Sequence, residues 1–132
     1  MSLEKNTAAK LFDTHAKPQG LKRIVLATKN SARALTWLFK NESAFRQECA
    51  ALLLAIPVCF MLNVTLSQQF ILIGAILFVM LCEIVNTAIE VIVDRISLEM
   101  HPLSGLAKDL GSAAVSISIV LALMIWGLIC LR

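Results

Sequence analysis

The sequence predicts an all-α membrane protein: an N-terminal amphipathic surface helix followed by three transmembrane helices. Three observations carry this. Of 132 residues, 58% are hydrophobic and only 16% are charged, against about half and a quarter in soluble domains. No charged residue lies between Glu48 and Glu83 or from Leu110 to Leu131, and uncharged apolar runs of that length read as membrane spans. Finally, Lys5, Lys10, Lys17, Lys22, Arg23, Lys29, Arg33, Lys40 and Arg46 all precede the first apolar run, opposed by Glu4, Asp13 and Glu42. Beside membrane spans such a basic segment marks the cytoplasmic side rather than nucleic-acid binding.

The elements follow in order. Residues 1–20 form a polar tail ending at Pro18 and Gly20, with no apolar segment that would make a signal peptide. Residues 21–132 form one membrane domain. From 21 to about 39, Leu21, Ile24, Val25, Ala32, Leu35, Leu38 and Phe39 alternate with Lys22, Arg23, Lys29 and Arg33. This is the pattern of a helix lying on the membrane surface, with Trp37 as its interface anchor.

The long uncharged run exceeds one span and is broken at Asn63-Val-Thr-Leu-Ser-Gln-Gln69. Splitting it there gives spans at about 44–62 and 70–93, and a third follows at about 108–131. Pro57 would kink the first span, which neighbouring helices tolerate. The turn at 63–69 carries no Lys or Arg, whereas Arg95 and Lys108 flank the next loop. The N-terminus is therefore expected in the cytoplasm and the C-terminus outside. Small residues at Ala114, Ser118 and Ala122, with Gly111, Ser112 and Ser116 nearby, suit close helix packing. Cys49, Cys59, Cys82 and Cys130 show no CxxC spacing and read as small buried hydrophobes.

Chemistry enters with the second span. Glu83, Asn86, Glu90 and Asp94 fall within an arc of about 80° on a helix. A carboxylate at a helix centre costs about 2.5–3.5 kcal/mol on insertion scales. Asp94 alone reads equally well as a helix-end residue, but Glu83 with Glu90 invites metal binding or proton transfer. Downstream lie His101, Lys108, Asp109 and Ser112, with Gly105 and Gly111 among them. A lysine, glycines and a hydroxyl where a helix begins suit a polyphosphate, although neither a P-loop nor a protein-kinase signature is present. Acids to hold Mg²⁺, a lysine for phosphate and a deeper carboxylate for an alcohol proton together suit phosphoryl transfer.

Three segments carry a resemblance: Asn41-Glu-Ser-Ala-Phe-Arg-Gln-Glu48, Glu83-Ile-Val-Asn-Thr-Ala-Ile-Glu-Val-Ile-Val-Asp-Arg95 and Ser104-Gly-Leu-Ala-Lys-Asp-Leu-Gly-Ser-Ala-Ala114. They resemble the prokaryotic integral-membrane diacylglycerol kinases from about Leu21 to Leu131. The resemblance implies a homotrimer in the bacterial inner membrane that converts diacylglycerol and ATP, with Mg²⁺, into phosphatidic acid and ADP. It implies Glu83 as general base, supported by Asn86 and Asp94, and Glu42 and Glu90 as metal-binding acids. Arg23, Asn30, Glu99, His101, Lys108 and Asp109 would join those two acids at the nucleotide. Ser31, Ala44, Phe45, Arg46, Gln47, Glu48, Ser112 and Trp126 would lie, with Glu83, along the lipid path. Asn30 stands where an aromatic residue is expected, and Leu106 where arginine is common.

Undecaprenol kinase is the alternative within the family. A small proton-coupled transporter is the rival outside it, disfavoured because the polar groups crowd toward one side. A structural assembly subunit would leave the acidic stripe without purpose. Because three helices are too thin to surround Glu83, the stripe is expected to meet a neighbouring subunit, with Lys108 supplied by the adjacent chain.

Overall fold

The computed structural model describes residues 18–132, so the expected tail at 1–20 falls almost wholly outside the described residues. Four helices follow in order: α1 Leu21–Asn41, α2 Ser43–Met61, α3 Leu66–Ile96 and α4 Pro102–Cys130. The chain divides into two units, the first ending at Trp37 and the second comprising Leu38–Arg132.

In the first unit α1 is amphipathic, with no acid in its first turn. Leu21 (81% exposed), Ile24, Val25 and Leu35 remain open on its apolar side. Thr28 and Thr36 donate their hydroxyls to the carbonyls of Ile24 and Ala32, one turn back. Such bonds keep threonine compatible with a helix interior.

In the second unit α3 is central and packs on both α2 and α4. Its 31 residues reach about 46 Å at 1.5 Å per residue, beyond the roughly 30 Å of a bilayer core. All three of α2, α3 and α4 are long and apolar enough to cross a membrane. Within the chain only 17%, 28% and 11% of their most apolar windows are buried, so most of their surface needs lipid or another chain against it. The internal core is accordingly small, centred on Phe45, Ala55, Cys59, Leu72, Ala75 and Val79.

Helix ends explain where the structure departs from the expected spans. Helix α3 starts at Leu66 rather than near Phe70, because Thr65 caps it. Its hydroxyl accepts from the Gln68 amide at 3.3 Å, and Gln68 Oε1 accepts from the Thr65 amide at 2.9 Å. This reciprocal pair is a capping box, so the second part of the polar interruption, from Leu66 on, is already helix. Helix α4 starts six residues before Lys108. Pro102 takes the first helical position and His101 Nδ1 accepts from the Leu103 amide at 3.1 Å.

Candidate active site

Glu83, Asn86 and Thr87 are buried on α3, at 7%, 9% and 5% exposure, among otherwise apolar core residues. The helical period turns them inward together, as the sequence arc requires. One turn further on, Asn86 Nδ2 donates to Glu90 Oε1 at 3.2 Å, so the stripe is internally linked. Glu42 and Glu90 both act electrostatically on Glu83, and Glu83 in turn on Glu48. Four acids from the α1–α2 corner, α2 and α3 thus share one region. Among the described residues no three His, Cys, Asp or Glu side chains could hold one metal ion. Mg²⁺, however, takes one or two carboxylates and completes its octahedron with phosphates and water, so hard oxygen donors of this kind fit it.

The α1–α2 corner that carries Glu42 is built by local bonds. The Glu42 amide donates to Leu38 O at 2.7 Å. Arg46 Nη1 donates to Phe39 O at 3.1 Å and Lys40 O at 3.2 Å, satisfying carbonyls at the end of α1. Of the stretch expected along the lipid path, Phe45 is buried, Gln47 and Arg46 are exposed, and Ala44 is half-buried. Glu48 lines an apolar groove of ≈ 400 Å³ with Ala51, Leu54, Ala55, Val58, Ile76, Val79, Ile119, Ala122, Leu123 and Trp126. Its Oε2 is buried without a hydrogen-bond partner. Trp126 Nε1 donates to Leu72 O at 3.2 Å, clipping α4 to α3 along the same groove.

A second cavity, of ≈ 500 Å³, is formed at the α3–α4 loop. Asp94, Glu99, His101 and Lys108 all line it, with Ser97, Ser104 and Gly105. Lys108 Nζ lies 2.6 Å from Asp94 Oδ1 of its own chain, both side chains about half exposed. Lys108 thus has an in-chain partner, whereas the sequence pointed it toward Glu83 of a neighbour. Asp109 and Ser112, by contrast, are exposed and do not line this cavity. In the first unit Arg23 and Ser31 line one shallow cavity of α1, and Asn30 Oδ1 accepts from Arg33 Nη2 at 3.5 Å.

Two features show only in the folded chain. Ser97 and Ser104 join the loop cavity, and Ser97 Oγ accepts from the Glu99 amide at 3.0 Å; a serine on each side of the Glu99-to-His101 stretch was the available signal. Gly111, among the small residues of α4 that suit close helix packing, is buried against Asn86 of α3; the spacing gives the close approach but not the partner.

Residues 29–130 match the profile of the prokaryotic diacylglycerol kinases. The chain belongs to that family. The diacylglycerol kinase of Escherichia coli K12 is 47% identical over 107 residues, covering 81% of this chain and 88% of the relative. That of Haemophilus influenzae is 43% identical over 111 residues (84% and 94%), and that of Pseudomonas aeruginosa 42% over 112 (85% and 91%). Family membership and the three long apolar helices together make this a bacterial membrane protein.

Proposed function

We propose that the chain is a lipid kinase that transfers the γ-phosphoryl group of ATP to the free hydroxyl of diacylglycerol, giving phosphatidic acid and ADP. The observation that carries this reading is a buried carboxylate, Glu83, on the same helix that ends in the Asp94–Lys108 cavity. Diacylglycerol is taken as the acceptor because relatives that share over four-tenths of their residues bear that name.

Glu83 accepts the proton of the lipid hydroxyl as its oxygen forms a bond to the γ-phosphorus. The bond from that phosphorus to the β–γ bridging oxygen breaks, and ADP leaves. Asn86 and Asp94 support the base by holding its neighbours in place. Glu42 and Glu90 would hold Mg²⁺, which neutralises charge on the phosphates. Lys108 offers a positive charge to the same phosphates, with Glu99, His101 and Asp109 on the nucleotide side. Ser112, Trp126 and residues 44–48 guide the lipid. The Glu48–Trp126 groove is apolar enough for acyl chains, which supports that assignment.

The site faces the cytoplasm of the bacterial inner membrane, with the N-terminus inside and the C-terminus outside. A homotrimer would cover much of the apolar surface that a single chain leaves open. Purified protein in mixed micelles, given γ-labelled ATP and either dioleoylglycerol or undecaprenol, tests the reading. Label appearing in phosphatidic acid is expected. Label only in undecaprenyl phosphate would move the substrate, and label in neither would overturn the kinase assignment.

A further inference from the structure

Glu90 is held by Asn86, whose Nδ2 donates to Oε1 at 3.2 Å. The other end of that amide is confined. Asn86 Oδ1 is buried without a hydrogen-bond partner, and it faces the backbone of α4 at Gly111. A Cβ placed on Gly111 would collide with Asn86 Oδ1 and stand only 3.3 Å from its Cγ, with Ile89 Cδ1 at 3.6 Å. Gly20, Gly74, Gly105 and Gly127 have nothing within 4 Å at the same position. Gly111 alone among these glycines is therefore bare where a neighbouring side chain occupies the space.

We propose that Gly111 is a positioning residue for phosphoryl transfer: its missing side chain leaves the room in which Asn86 keeps its amide on Glu90. The inference rests on the reading of Glu90 as a metal- and nucleotide-side acid. Gly111 has no side chain to offer nucleotide or lipid, so its part is played through Asn86. Simple helix packing is the bland explanation of a glycine between helices, and the two differ in what gives way. The obstructing atom is the end of a rotatable side chain, so a methyl group displaces the Asn86 amide before it displaces α4. Glu90 then loses the donor that orients it, while the fold keeps most of its contacts.

The test uses the full-length protein in lipid–detergent micelles as Gly111→Ala, Asn86→Ala and the double variant. Gly111→Ala is expected to fold, to lose roughly tenfold in kcat, as for one lost hydrogen bond to a charged group, and to need more Mg²⁺ for half-maximal rate. In the Asn86→Ala background the same glycine change should alter neither parameter, because groups that act through one another are not additive. A loss of equal size in both backgrounds, or none in either, overturns the proposal. A second readout needs no nucleotide or metal. With ¹⁵N-labelled asparagine, the Asn86 side-chain amide resonances should shift in Gly111→Ala, and unshifted resonances would overturn the inference. If Gly111→Ala alone fails to fold, the double variant decides. Recovery of the fold in the double variant, with kcat and Mg²⁺ dependence no worse than in Asn86→Ala, supports the proposal; continued failure, or a further loss of rate, rejects it. A wild-type protein without kinase activity would instead sink the functional reading, leaving the resonances to judge Gly111.

Discussion

Asn86 lies between Glu83 and Glu90 on α3, two acids for which different roles are proposed. Through its Nδ2 it steadies Glu90, and through its burial it keeps polar surface next to Glu83 on a helix that is otherwise apolar. Removing the charge of Glu90 while keeping its shape should separate those tasks. Glu90→Gln is expected to raise the Mg²⁺ concentration at half-maximal rate and to lower the rate itself. An unchanged Mg²⁺ titration at near-normal rate would take Glu90 out of the metal site. Lys108 invites a different measurement. Its ion pair with Asp94 is half exposed, and exposed pairs add little to stability. Lys108→Ala should therefore leave the unfolding midpoint almost unchanged while raising the ATP concentration needed for half-maximal rate. A lowered midpoint with normal ATP dependence would make Lys108 a structural residue.

At the level of elements, α3 and α4 owe their starts to side-chain caps rather than to hydropathy. The Thr65–Gln68 capping box starts α3 at the end of that helix remote from Glu83. Thr65→Ala should cost about 1 kcal/mol of stability, typical for a lost N-cap, and leave kinase activity intact; a loss of activity without a loss of stability would contradict this. The four helices were legible in the sequence because uncharged length and charge asymmetry are strong signals. The early starts of α3 and α4 were missed because a threonine in a polar turn and a histidine before a proline look like loop until their bonds are seen. The acidic stripe was legible from the spacing of Glu83, Asn86 and Glu90. Its depth and the contact of Gly111 with Asn86 were not, since they depend on how α4 lies against α3. The in-chain partner of Lys108 was hidden for the same reason: Asp94 and Lys108 meet only when the loop between them closes.

For the molecule as a whole, spans that bury so little of their surface within the chain need lipid or another chain against them. The basic residues of the N-terminal half set its proposed orientation. In a background lacking native cysteines, Gln68→Cys should react with an impermeant thiol reagent in intact spheroplasts, and reaction only after lysis would overturn the three-span topology. Orientation matters because ATP is cytoplasmic and Asp94, Lys108 and their cavity must face it. The most direct test of the central claim, that Glu83 drives phosphoryl transfer to a lipid hydroxyl, is a single-turnover measurement. Glu83→Gln and the unsubstituted protein, each saturated with MgATP and diacylglycerol, are compared for transfer, with ATP binding measured separately. The variant should still bind ATP but transfer phosphate roughly 10²–10⁴ times more slowly, the range for loss of a general base. Transfer at the unsubstituted rate, with binding intact, would contradict it.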